Sequence, residues 1–215
     1  MTFTADNWAR IGHILDSIER HPFLKTLANG SLSTERYRYY LEQDTLFLTG
    51  YARMLALAAS EAGEADDIAF WSESAGGALA EARELHAKFL KAPVVVPASP
   101  TCTAYTSYLA MLGASGSYPS LAAGLLPCFW IYEHVAGVLK AKIRDLAAHP
   151  YADWIAYYTA TDFTDPGRRA RELVDRATDG LGAAGRAEAA TAFRTAALYE
   201  WMFWDAAWRM EQWPL

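Results

Sequence analysis

Only one short stretch of this chain reads as β-strand, and prolines close it in. Val94-Val95-Val96 lies between Pro93 and Pro97, with Pro100 a few residues on. Proline cannot donate into a sheet ladder, so a central strand here is excluded. The rest of the chain carries helical periodicity broken by turn residues. Trp8, Ile11, Leu15 and Ile18 recur at helical spacing up to His21-Pro22. Gly30-Ser31 marks a turn, and Ser33 or Thr34 caps a long helix to about Ala59. A third helix covers Ala65 to Leu90, a fourth Thr101 to Ala114, and a fifth Pro119 to about Ala147 with Pro127 inside it. His149-Pro150 opens a shorter helix through Tyr158. Asp165-Pro166-Gly167 reads as a turn before a helix to Thr178, and a last helix spans Ala187 to Glu211. The expectation is an all-α bundle of seven or eight helices, one domain over residues 1–215.

Composition narrows the function. Hydrophobic residues make up 53% and charged residues 20%, enough apolar material for a sizeable core. The net charge is -6, and the one basic group, Arg168, Arg169 and Arg171, is interleaved with Asp165, Glu172 and Asp175. This argues against a nucleic-acid partner. No signal core opens the chain and no stretch reads as a membrane span, so neither membrane nor export is expected. Two cysteines, Cys102 and Cys128, are too few for a disulfide framework and fit free thiols in a reducing cytoplasm. Aromatics reach 13%, which suits either core filler or a pocket that stacks a flat ring.

The informative residues are titratable groups that helical spacing sets among apolar ones. Asp44 shares a face with Tyr40, Leu41, Phe47 and Leu48, and Glu200 with Ala196, Ala197, Phe203 and Trp204. A carboxyl in such a setting is paired or has a raised pKa. Arg194 and Arg209 lie off the Glu200 face, so its own helix gives it no partner. Cys128 follows Pro127 among Gly124, Leu125, Ile131 and Tyr132; a lone Cys there is ordinarily core, but a proline kink can open space beside a thiol. Cys102 sits at a loop-to-helix junction, where the helix dipole would lower its pKa, and ranks second. No Glu-x-x-His pair is present. Glu84 and His86 are two apart, Glu133 and His134 adjacent, so neither pair converges on a metal; structural roles are expected for all five histidines.

Several blocks together resemble the TenA family of thiaminase II enzymes. They are His21-Pro22-Phe23 with Gly30-Ser31-Leu32, Tyr39 to Asp44, Ala104 to Tyr108, Leu125 to Tyr132, Trp154-Ile155 with Tyr158, and Tyr199-Glu200 with Phe203-Trp204. The resemblance runs from about residue 7 to 213. It implies a heme-oxygenase-like helical fold without heme, metal or other cofactor, and a homotetramer. It implies Cys128 as nucleophile, Asp44 and Glu200 as the two carboxylates, hydroxyls from Tyr105 and Tyr158, and ring walls from Phe47, Tyr132 and Phe203. Cys128 places the chain in the family's cysteine branch. Phe129 stands where Tyr is common and Thr45 replaces a frequent aromatic.

The implied reaction hydrolyses 4-amino-5-aminomethyl-2-methylpyrimidine to the hydroxymethyl pyrimidine and ammonia in thiamin salvage, with thiamin cleavage as a possible second activity. Glu200 would be the main acid/base, Asp44 the acceptor for the ring's amino edge, and Tyr105 a partner of the thiol, with the roles of Asp44 and Glu200 interchangeable. A non-catalytic pyrimidine or thiamin binder and an oxidase on the same fold are the rival readings.

Overall fold

A computed structural model describes residues 1–215. Three short helices open the chain: α1 (Phe3–Arg10), α2 (Gly12–Glu19) and α3 (Pro22–Ala28). The single N-terminal helix expected from periodicity is thus broken at Ile11, whose ψ of 9° leaves the helical range. His21-Pro22 begins a helix as well as ending one. Pro22 occupies the first turn, where its missing N–H costs nothing, and the His21 ring accepts from Phe23 N at 3.2 Å. Gly30 then turns the chain at φ +73° against Pro150, whose Cδ lies 3.1 Å from where a Cβ would stand.

The bundle proper follows. α4 (Thr34–Glu61) is capped by Ser33. α5 (Ala65–Glu81) runs into a π turn, Ala82–His86, and a last helical turn, α6 (Ala87–Leu90), so the expected helix 65–90 is continuous but locally underwound. The valine segment forms no strand. It leads to Ser99, which caps α7 (Pro100–Ala114), and the Gln43 side chain pins it by accepting from Ser99 N at 2.7 Å and donating to Pro97 O at 3.1 Å. α8 (Tyr118–Lys142) ends earlier than the expected Ala147; α9 (Ala152–Tyr158), α10 (Thr161–Thr178) and α11 (Ala183–Arg209) complete the chain. Asp165-Pro166-Gly167 is not a turn but part of α10. Pro166 there removes one helical donor near the N-terminal end, a loss the amphipathic remainder tolerates because Gly167, Ala170, Leu173 and Val174 are buried. The short N-terminal helices and the added final turns bring the count to eleven α-helical segments.

α8 is the central element, packed mainly against α11 and α10. By length and composition it passes as a possible membrane span, contrary to the expectation of none, but 61% of its most apolar window is buried inside the bundle. A helix apolar all round belongs in a core. Gly124 lets α7 approach it closely: a Cβ there would lie 2.4 Å from Leu112 Cδ1. The buried apolar side chains form one continuous cluster through α1 to α11.

Candidate active site

The apolar faces of α4 and α11 bury the carboxyls that they carry. Asp44 and Glu200 are both 2% exposed, and Phe47 and Phe203 from the same helix faces pack against each other at 5.6 Å between ring centres. Glu200 has no arginine partner: Arg209 binds Asp205, and the Tyr105 hydroxyl donates to Glu200 Oε1 at 2.8 Å instead. Burial pushes Glu200 up to about 8, with the Tyr105 bond pulling it down and the Asp44 charge adding to the rise. Asp44 accepts from the Tyr40 hydroxyl at 3.3 Å, and Tyr40 in turn accepts from Trp154 Nε1 at 3.1 Å.

Cys128 lies on α8 one residue past Pro127. The proline lacks the N–H that would bond the Ala123 carbonyl. Tyr51 reaches across from α4 and donates to the Leu125 carbonyl at 2.7 Å. Beside this irregular turn a cavity of about 230 Å³ opens, and Cys128, Tyr51, Leu48 and Phe129 form part of its wall. That volume suits one small ring rather than a large cofactor. Burial first, then the Glu200, Asp44 and Glu81 charges, push the Cys128 thiol well above its usual range. Cys102 is buried and its thiol donates to the Gln43 carbonyl at 3.6 Å; burial pushes it up to about 12, so the helix dipole does not activate it as expected.

Of the eight residues expected in the site, Cys128 alone lines this cavity. The other seven form a buried layer joined to it. Phe47 stacks on Tyr51 at 5.5 Å and on Tyr105 at 4.7 Å, Tyr132 packs on Tyr158 at 4.9 Å, and Tyr158 bonds the carboxyl of Glu81 in the cavity wall. Tyr105 meets Glu200 rather than the thiol, and Tyr158 meets Glu81.

Glu81 and His86 are the residues that sequence reasoning missed. His86 is fully buried, with Nε2 at 3.3 Å from Asp44 Oδ2 and 3.9 Å from Glu81 Oε1. The shorter contact is bent away from hydrogen-bond geometry, so Nε2 has charged neighbours but no bonded partner. Thr45 sets the tautomer. Its hydroxyl hydrogen goes to the Leu41 carbonyl at 2.8 Å, so its oxygen accepts from His86 Nδ1 at 2.9 Å. Burial opposes charge on His86, but Asp44 and Glu81 outweigh it and raise its pKa. Burial and the Asp44 charge push Glu81 up to about 7, against the pull of His86 and the Tyr158 and Tyr157 hydroxyls. The structural role expected for His86 is thus extended by a place among the site's carboxyls. Asp44, Glu81 and His86 are also the one trio whose donor atoms all lie within 4.8 Å of each other, close enough to share a cation. The two carboxyls favour the protonated form of His86, which would place positive charge between them.

The model of the TENA/THI-4/PQQC family matches residues 8–210. The chain belongs to that family. Among TENA/THI-4/PQQC relatives, the aminopyrimidine aminohydrolase of Halalkalibacterium halodurans is 29% identical over 222 residues, covering 99% of this chain and 98% of that protein. The thiamine biosynthesis multifunctional protein ThiED of Corynebacterium glutamicum is 31% identical over 207 residues. This chain spans only 27% of that protein's length. Among solved structures, a TenA homologue from P. horikoshii OT3 superposes with a TM-score of 0.86 at 26% identity, covering 97% of this chain and 99% of that one. A protein of heme oxygenase-like fold from Shewanella denitrificans matches at 0.72 and 14% identity, over 96% of this chain and 92% of that one, which speaks to the fold alone. The fold is therefore the heme-oxygenase-like all-α bundle that the TenA resemblance implied.

Proposed function

We propose that this protein is an aminopyrimidine aminohydrolase, converting 4-amino-5-aminomethyl-2-methylpyrimidine to its hydroxymethyl counterpart and ammonia. The observation that carries the reading is Cys128 in the wall of a ring-sized cavity, with the raised carboxyl of Glu200 among the charges acting on it. The full-length relative named for this activity supports it.

An amine is a poor leaving group, and a nucleophile on the ring helps to expel it. Cys128 is a thiol at neutral pH, so it needs proton transfer to add. Glu200, protonated below about pH 8, hands its proton to a ring nitrogen and takes the thiol's proton in return. Sulfur thereby joins C6 of the ring. Ring electrons then expel ammonia from the methylene carbon, breaking C–N. Water adds to that carbon and C–O forms, its released proton leaving with the ammonia as ammonium ion. The C6–S bond then breaks as Glu200 returns the thiol's proton to sulfur and takes back the proton of the ring nitrogen. The other expected residues form the buried layer behind the cavity wall, so the ring must pass Cys128 to reach them. There Asp44 accepts from its amino edge, Tyr105 orients Glu200, Tyr158 exchanges Glu81 for a ring nitrogen, and Phe47, Tyr132 and Phe203 wall the ring.

We read residues 1–215 as one domain of a cytoplasmic homotetramer. Leu198 and Met202, four apart on α11 and both partly exposed, suit burial against another copy.

Ammonia release from the aminomethyl pyrimidine tests the function. Release by wild type, lost in Cys128→Ser and Glu200→Gln, supports the scheme. Tight binding without release would convert the reading to a non-catalytic pyrimidine binder, and normal turnover by Cys128→Ser would sink the covalent adduct. Thiamin as substrate in the same assay tests the second activity.

A further inference from the structure

Glu81 is a buried carboxyl in the cavity wall, 7% exposed, and the catalytic scheme leaves it unused. It shares that wall with Cys128. The other two carboxyls on the cavity, Glu73 and Asp162, are exposed at its rim, where Arg169 is held by Glu73 at 3.8 Å and lies over the Phe70 ring at 5.0 Å. A cation entering the cavity meets one rim carboxylate without a partner, Asp162, and then Glu81.

An aliphatic amine is a cation at neutral pH. We propose that Glu81 is the residue that receives the ammonium group of the substrate's aminomethyl arm, and that the cavity thereby selects aminomethyl over hydroxymethyl pyrimidines. This rests on the aminopyrimidine reading given above. The carboxylate of Glu81 pairs with the ammonium while Cys128 occupies C6. As C–N breaks, the nitrogen leaves as neutral ammonia. Glu81 then takes a proton from the water that forms C–O, and that proton departs with the ammonia as ammonium ion. The same group thus recognises the leaving nitrogen and serves the incoming oxygen. His86 is a positioning residue that acts through Glu81. Thr45 fixes its ring, and its positive charge favours the ionised form of Glu81.

The groups that face Glu81 come from every neighbouring element: Asp44 on α4, His86 on the π turn, Cys128 on α8, and Tyr157 and Tyr158 on α9. Asp162 and Arg169 of α10 share the cavity with it. Among these His86 and the Tyr158 and Tyr157 hydroxyls favour a carboxylate, and Asp44 opposes it. Substituting His86→Asn therefore makes Glu81 harder to ionise.

The test is binding of the aminomethyl and the hydroxymethyl pyrimidine, by titration calorimetry, to protein carrying Cys128→Ser so that nothing turns over. Glu81→Gln is expected to weaken the aminomethyl ligand tenfold or more and to leave the hydroxymethyl ligand within about threefold. His86→Asn is expected to keep the hydroxymethyl affinity and to move the pH at which aminomethyl binding strengthens upward. Equal loss for both ligands in Glu81→Gln would show a structural role and overturn the proposal. So would unchanged preference, or wild-type binding of neither ligand. Preference retained by wild type without ammonia release would defeat the hydrolase reading and leave Glu81 as the ammonium site.

Discussion

Tyr105 and Glu200, 95 residues apart, meet hydroxyl to carboxyl at 2.8 Å with neither reached by solvent. The bond stabilises the ionised form of Glu200, so it holds down a pKa that burial raises. Tyr105→Phe should therefore move the alkaline limb of the pH–rate profile upward and lower kcat about tenfold. Glu200→Gln should lower kcat about 100-fold or more, in the range of a lost acid/base group. Steady-state ammonia release across pH 5 to 10 measures both. An unmoved alkaline limb in Tyr105→Phe would detach Tyr105 from the proton chemistry.

Glu81 at about 7 works ionised and Glu200 at about 8 works protonated. Their difference predicts a bell-shaped kcat/KM, rising through about pH 7 and falling through about pH 8. Glu81→Gln should erase the acidic limb and leave the alkaline one. A wild-type profile flat from pH 6 to 9 would contradict both assignments.

The same shifts act on stability. The folded state holds protons on Glu81 and Glu200 that the unfolded chain releases above an ordinary value of 4.5. Their contribution is present below that value and is lost as pH rises through about 7 and then about 8. His86, also raised, loses its contribution in the same direction. Thermal unfolding should therefore show the melting temperature falling by several degrees, roughly 2–4 °C per kcal/mol for a domain of this size, between pH 5 and 8.5. The Glu81→Gln, Glu200→Gln double variant should show a shallower slope.

Cys128 lines the cavity, whereas Cys102 is sealed in the core. Iodoacetamide followed by mass mapping should modify Cys128 first. Its rate should still be rising above pH 9, because the thiol is pushed up by burial and three carboxyls. A plateau near pH 7 would mean that the free protein already holds a thiolate.

Trp154 is fully buried and begins a chain of donors, its Nε1 to Tyr40 and the Tyr40 hydroxyl to Asp44. Trp154→Phe removes volume and the first bond, at a cost of about 2–4 kcal/mol, read from the urea midpoint. It should also raise KM, because Asp44 loses the group that orients its partner.

Residues whose function depends on their own helix were legible in the sequence. Asp44 and Glu200 announced themselves because an α-helix sets i±3 and i±4 on one face, and apolar neighbours there mean burial. Cys128 needed Pro127 beside it to stand out from a core cysteine. Pairings between helices were not legible: Tyr105 to Glu200 and Tyr158 to Glu81 depend on how α7, α9 and α11 dock. The turn expected at Asp165-Pro166-Gly167 failed because a proline early in an amphipathic helix loses one bond, less than the buried face gains. Glu81 and His86 were invisible for a different reason. Residues five apart on an α-helix diverge, and only the π turn between them, with its i→i+5 bonding, turns both toward Asp44.

That π turn makes helix phase, as well as side-chain identity, a determinant of the site. It amounts to one residue more than an α-helix would use between the face that carries Glu81 and the one that carries His86. Shortening Ala82–His86 by one residue would keep every functional side chain and restore a regular helix, yet swing Glu81 and His86 out of step. In this part of the chain, length is as tightly constrained as chemistry.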